Sequence, residues 1–322
     1  MKLKEIYQLA ISLGKSHDIR GDEIQLLLEK ELADFEKLSE DERRFYDTES
    51  LHNPYSDSRI LVGSGEEEIT AIMAGIDIET PEVLLADRLR QKGHRIDLLL
   101  AHHPEGIAQA ALHDVMHIQA DMMEIAGVPI NVGEGIMASR ISEVQRGMMP
   151  LNHQRAVDAS RLLDLPFLCV HSPADILVSN FLQDLINRSS YRTVGDIINI
   201  LLTLPEYQKA SQLKAGPRIV TGDKNRRAGK VFIKMSGGTA GAEKAYEKLA
   251  AAGVGTYICM HIPDKHRQAA RENNINVIVA GHMASDSLGM NLFLDELQSR
   301  GINIIPCSGL IRVSRLAQHD FH

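Results

Sequence analysis

The chain has 322 residues, 44% hydrophobic and 24% charged, with a formal net charge of −8. That length exceeds one small core and points to two α/β domains or one large one. The acidic balance argues against a nucleic-acid partner, because phosphate neutralisation needs Lys and Arg gathered on one face, and the short basic run Lys224–Lys230 reads as a solvated loop.

Residues 1–47 read as a helical extension, since "LKEIYQLAISLG" and "DEIQLLLEKELADFEKL" space their apolar residues by three and four. The first stretch carries Glu5 and is not a signal-peptide core. No apolar run approaches the roughly 20 residues of a membrane helix, so no membrane partner is expected. A polar segment, "DTESLHNPYSDSRILVGSGEEE", reads as a loop. From Ile69 short apolar runs alternate with amphipathic stretches. "ITAIMAGIDI", "IDLLLA", "PFLCV", "KVFIKM", "GTYICM", "INVIVA" and "INIIP" are predicted strands, with helices between them. Such alternation implies parallel strands joined by crossovers. The expected fold is α/β: two linked α/β domains with mainly parallel strands, over 48–215 and 216–322. A Met-rich helical insertion is expected at about 107–150, and residues 216–229 read as the connection between halves. Cys169, Cys259 and Cys307 are odd in number and far apart. They read as buried free thiols of a cytoplasmic protein, which excludes a Cys-rich zinc site.

Four predicted strands run straight into histidine: "IDLLLA" into His102 and His103, "PFLCV" into His171, "TYICM" into His261, and "INVIVAG" into His282. In open parallel sheets ligands bind just outside the carboxyl edge of the strands. His171 and His282 each have a carboxylate four residues on, Asp175 and Asp286. At a strand-to-helix turn that spacing returns both side chains to one cleft. Imidazole with carboxylate suits Zn, Fe, Mn, Ni or Co rather than Mg or Ca, without distinguishing among them. More than four such ligands suggests two divalent transition-metal ions able to share and activate a water. Adjacent residues of an extended strand face opposite ways, so for His102 and His103 to act together the chain must be leaving the strand, and Pro104 favours that exit.

The motifs "DLLLAHHP", "CVHSPAD", "AGHMASD" and "KMSGGTAG" resemble those of the Nif-three-like proteins, also described as dinuclear-metal-centre hexameric proteins and often filed as type 2 GTP cyclohydrolase I. The resemblance covers about residues 48–315. It implies a metal pair in the cleft between two α/β domains, held by His102, His103, Asp175, His282 and Asp286, and a toroidal homo-hexamer. It also puts His266 at the position of a family histidine. This chain departs from the family in having Asp286 where Glu is usual, "CMHIPDKH" for a Thr-Gly-Asp turn, and Glu105-Gly106 after the histidine pair.

The function expected is a metal-dependent hydrolase of a small-molecule phosphoester, amide-like or purine-ring bond. Asp175 would bridge the ions, His171 or His266 would shuttle protons, and Glu105 would serve as acid or base. A metal-binding scaffold or regulatory protein is the alternative, with GTP cyclohydrolase below it. "LHDVMHIQAD" sets His113, His117 and Asp121 along one helix face, either substrate-facing or simply polar. "SGGTAGAEKAYEKL" offers backbone N–H groups to an anion, or is a plain tight turn. Asp77, ending its own strand, is a candidate support for the site.

Overall fold

Leu98–Ala101 and Phe167–Cys169 are buried at every position, as unbroken apolar runs are when both faces of a sheet are covered. They are two of the nine strands in a computed structural model that describes residues 1–316. In chain order these are β1 (Arg59–Val62), β2 (Ala71–Gly75), β3 (Leu98–Ala101), β4 (Phe167–Cys169), β5 (Arg218–Thr221), β6 (Lys230–Lys234), β7 (Val254–Cys259), β8 (Asn276–Val279) and β9 (Asn303–Cys307). The first sheet runs β1-β4-β3-β2-β9 and the second β5-β8-β7-β6. All pairings are parallel except β1 with β4 and β5 with β8, so one antiparallel strand closes an edge of each sheet. The chain thus forms the expected α/β architecture of two mainly parallel sheets.

Several expectations need correction. β1 lies inside the polar segment read as a loop, and β5 inside the stretch read as a connection. Both are four-residue edge strands, too short to show a period. The last strand was grouped with the second domain, yet β9 pairs with β2 from Ala71↔Asn303 to Gly75↔Cys307, in the first sheet. Residues 107–147 are helical as expected, in separate pieces: Gly106–Ala110, a 3₁₀ turn at Asp114–His117, Ile118–Ile125 and Ile130–Met148. With the 3₁₀ turn at Asp114–His117, His117 and Asp121 still line one groove, and His113 is not among its lining residues.

Alternation sorts the first sheet. Ile72, Ala74, Leu98, Leu100 and Leu168 face one core, which also takes Leu3 and Ile6 of the helix Leu3–His17. Met73, Leu99, Ala101, Phe167 and Cys169 face the other. The first N-terminal helix is therefore part of the core rather than an appendage. Met116, Met123 and Met137 pack against Tyr257 and Val277 of the second sheet, so the Met-rich segment leaves the first sheet and covers a face of the second.

The helices Ser172–Arg188 and His282–Ser299 follow β4 and β8 and cross closely. A Cβ added at Gly289 would lie 2.3 Å from the Ala174 carbonyl oxygen, so only glycine permits this backbone-to-backbone approach. The crossing sits beside Asp175 and Asp286, one on each helix. No helix among the described residues is long and apolar enough to cross a membrane.

Candidate metal centre

The strand ends are aligned by register. Gly75, Ala101 and Cys169 form one row in the first sheet, and Lys234, Cys259 and Val279 another in the second. His102, His103 and His171 lie one or two residues beyond the first row; His261 and His282 lie just beyond the second. Consecutive amides, His102 and His103, donate to Gly75 O at 3.0 Å and Ile76 O at 2.9 Å. A regular strand offers only alternate amides to one neighbour. The backbone has therefore rotated out of the ladder at the pair, and both imidazoles face the same space. Their ring centres are 5.2 Å apart, with His171 4.9 Å from His102 and His282 5.2 Å from His103.

Three of these rings are anchored through Nδ1: His102 to Val170 O at 3.1 Å, His103 to Asp77 Oδ1 at 2.7 Å, and His171 to Asp57 Oδ2 at 2.7 Å. Donation from Nδ1 fixes the tautomer and leaves Nε2 with its lone pair free, the usual preparation of a histidine for a metal. The Nε2 atoms converge on two carboxylates. His102 is 3.5 Å from Asp175 Oδ1 and 3.6 Å from Asp286 Oδ1. His103 and His282 are 3.4 and 3.5 Å from Asp286 Oδ2, and His171 is 3.8 Å from Asp175 Oδ2.

His102 Nε2, Asp175 Oδ1 and both Asp286 oxygens are buried without a hydrogen-bond partner. Orphaned buried polar atoms of this kind are costly. The separations match about 3.4 Å, the distance between two ligands each roughly 2.1 Å from one tetrahedral ion. Three groups bring their ligand atoms within 4.8 Å of one another: His102–His103–His171, His103–His282–Asp286, and His102–Asp175–Asp286. The donor set and the orphaned atoms fit a metal ion.

The electrostatics agree. Burial alone would lower the pKa of His102 and of His103, but Asp286 and Asp175 push His102 up to about 10, and Asp286 and Asp77 push His103 up to about 9. Burial likewise opposes ionisation of Asp286, yet His102, His103 and His282 hold its carboxyl far below the usual range. Without a cation the site keeps protons in its place.

The structure brings together His102, His103, Asp175, His282 and Asp286, and His171 lies within the same cluster. His266 stands off, packed edge-on against Tyr246 with ring centres 5.7 Å apart, across the cleft from the cluster. Glu105 precedes the helix Gly106–Ala110 and belongs to none of the three groups. Burial, then the neighbouring Glu79, pushes its carboxyl up to about 7.

No family model matches the sequence, and neither does any curated protein. Among solved structures, a NIF3 superfamily protein from Sphaerobacter thermophilus is 29% identical over 81% of this chain and 94% of that one, with a TM-score of 0.70. In sequence and fold the chain is NIF3-like. Reduced HcgD from Methanocaldococcus jannaschii, 14% identical over 86% of this chain and 96% of that one, shares the fold with a TM-score of 0.51.

One residue of this NIF3-like chain escaped the sequence reading, and another was noted there without a role. Asp57 is fully buried and accepts from His171 Nδ1, Ser172 Oγ at 2.7 Å and Ser58 Oγ at 3.2 Å. It lies in the turn-rich stretch before β1, where nothing periodic marks it. His261 was visible as a strand-end histidine but has no carboxylate four residues on. Its ring is 4.9 Å from His282. Burial, with His282 and Lys234 nearby, pushes it down to about 4, so it is a neutral imidazole at the cleft wall.

Proposed function

We propose that this chain is a divalent-metal-dependent hydrolase with a two-ion centre, acting on a small molecule that enters between the two sheets. The observation that carries this reading is the placement of Asp286. Its two oxygens have no hydrogen bond, and they face different imidazoles, Oδ1 toward His102 and Oδ2 toward His103 and His282. Asp286, rather than Asp175, would then be the carboxylate shared by two ions. His102, His171 and Asp175 would hold one and His103 and His282 the other. Ions held there supply Lewis-acid activation of water and of a substrate oxygen.

The chain's own residues do the rest. Asp57, Asp77 and the Val170 carbonyl hold three imidazoles in one tautomer. Glu105, half-buried, has an acidity suited to proton transfer near neutrality, and we assign it that role in preference to His171 and His266. The cluster is closed on the first-sheet side, where His102 and Asp286 are buried, and open at His103 and His282, whose side chains are 26% and 39% exposed. An open side favours catalysis over a purely structural site. Leu26, Leu27, Leu32 and Phe45 of the N-terminal helices are exposed and support a homo-oligomer, for which the hexamer is the expectation; the three free cysteines are consistent with a cytoplasmic protein.

The test is metal analysis with a hydrolase panel on wild type and His102→Ala. Loss of metal together with loss of a wild-type activity is expected. A His102→Ala protein that is metal-free and as active as wild type on every substrate turned over would sink the proposal.

A further inference from the structure

An open cleft lies beside the metal cluster, and its far wall is the loop after β6 with Lys234, Ser236, Gly238 and Gly241 among its lining. This loop is built in an unusual way: its carbonyls are taken by side chains. Gln119 donates to the carbonyls of Gly237 and, at 2.9 Å, Thr239; Lys234 Nζ donates to Thr239 O at 2.7 Å; Arg140 Nε donates to Ala240 O at 3.0 Å. The amides are treated oppositely. Thr239 N bonds to Gly237 O, but those of Gly238, Ala240 and Gly241 donate to no protein acceptor among the described residues. Gly237 has a φ of +96°, and a Cβ there would lie 2.6 Å from Gln119 Cγ, so the clamp and the turn require each other. Tying back carbonyls while leaving successive amides unused is how a backbone concavity acquires an affinity for anions.

Lys234 adds a full charge. Its Thr239 bond is the one hydrogen bond its ammonium makes among the described residues, which leaves two N–H donors on a group that sits in the cleft with Asp175, His171 and His282. Burial pushes this ammonium down to about 8 against the pull of Asp175, as for a cation without a close counter-ion. The donors that shape the loop come from elsewhere: Gln119 and Arg140 lie on the helices Ile118–Ile125 and Ile130–Met148, the Met-rich segment that crosses from the first sheet to the second.

We infer that Lys234 and the Ser236–Gly241 loop form an anion subsite of the metal cleft, which reads a phosphate group on the substrate, and that the 107–150 segment serves to hold that subsite in shape through Gln119 and Arg140. This deepens the hydrolase reading and rests on it for the word substrate. The binding itself does not require turnover.

The test is calorimetric titration of the metal-loaded full-length protein with inorganic phosphate, with metal content measured for each variant. Wild type binds phosphate. Lys234→Met keeps its metal and loses affinity by about tenfold or more, the worth of a charge-assisted hydrogen bond, while Lys234→Arg retains most of it. Gln119→Met, which removes no charge, weakens binding several-fold at full metal content and decides the matter should Lys234→Met not fold. Wild-type protein that binds no phosphate at millimolar concentration overturns the inference. So does a folded, metal-replete Lys234→Met or Gln119→Met with unchanged affinity, which would assign any bound phosphate to the metals alone. Phosphate binding through Lys234 in a protein that hydrolyses nothing would instead retire the hydrolase reading and leave the subsite standing.

Discussion

Replacing Asp57 by Asn tests whether the cluster is organised for metal from behind. Asp57 touches none of the proposed ions. One of its oxygens accepts from both His171 Nδ1 and Ser172 Oγ, at 2.7 Å each, and the other from Ser58 Oγ at 3.2 Å and the Ser172 amide at 3.4 Å. Asn conserves the volume but turns one acceptor into a donor, so an N–H meets another donor whichever way the amide is placed. The charge that favours Nδ1–H on His171 is also lost. A hydrogen bond to a charged group contributes about 1.5–3 kcal/mol, which corresponds to roughly 10–100-fold in metal affinity, the range found when the group supporting a ligating histidine is removed. The assay is competition for the metal against a chromophoric chelator, with circular dichroism to check the fold. The expected result is a folded protein with affinity down by that factor. Asp57→Asn at wild-type affinity would refute the claim that His171 is a ligand oriented through Nδ1.

Three further outcomes follow from the same geometry. Asp286→Ala, which removes an oxygen from each half of the cluster, should abolish binding of both ions, whereas Asp175→Ala should spare the half held by His103 and His282. Metal-to-protein ratios by elemental analysis distinguish these outcomes, and equal losses would contradict the bridging assignment. In the metal-free protein His102 and His103 titrate at about 10 and 9, above the ordinary 6.5, so their bound protons stabilise the fold at low pH and that contribution disappears as pH rises through 9 and 10. A metal must displace the same protons, so apparent metal affinity should climb with pH from 6 to 9; a flat profile would show that the histidines are not held protonated. Gly289→Ala drives a Cβ against the Ala174 carbonyl and should cost about 1–3 kcal/mol of stability and weaken metal binding too, measured by urea unfolding and chelator competition; an unchanged midpoint would show that the helices relax freely.

The strand-end histidines were legible because three constraints coincide in the sequence: an apolar run, its abrupt end, and an imidazole at that end. His102, His103, His171 and His282 all satisfy them, and Asp175 and Asp286 add the carboxylate one helical turn later. Asp57 satisfies none, because it acts from an irregular segment fixed only when β1 pairs antiparallel with β4. Whether His171 acts as ligand or as proton carrier depends on what its Nε2 meets, and spacing says nothing about that. Lys234 lies at the end of a strand, as the histidines do, but a lysine there has no sequence mark separating a solvated end from a cleft wall. The return of β9 to the first sheet was hidden for another reason. Pairing between residues 71–75 and 303–307 is non-local, and an alternating βα pattern assigns each strand to its neighbour in sequence.

That return has a consequence for the nascent chain. β2 is made early, and its outer neighbour β9 is made after the whole of the second sheet, so the first sheet waits with an open edge while residues 218–279 can already pair among themselves. Contacts so distant in sequence form slowly. A fully buried-type strand with one open edge, such as "AIMAG", is meanwhile a template for other chains. A polypeptide stopped or clipped before Asn303 would therefore be expected to aggregate rather than merely lose stability.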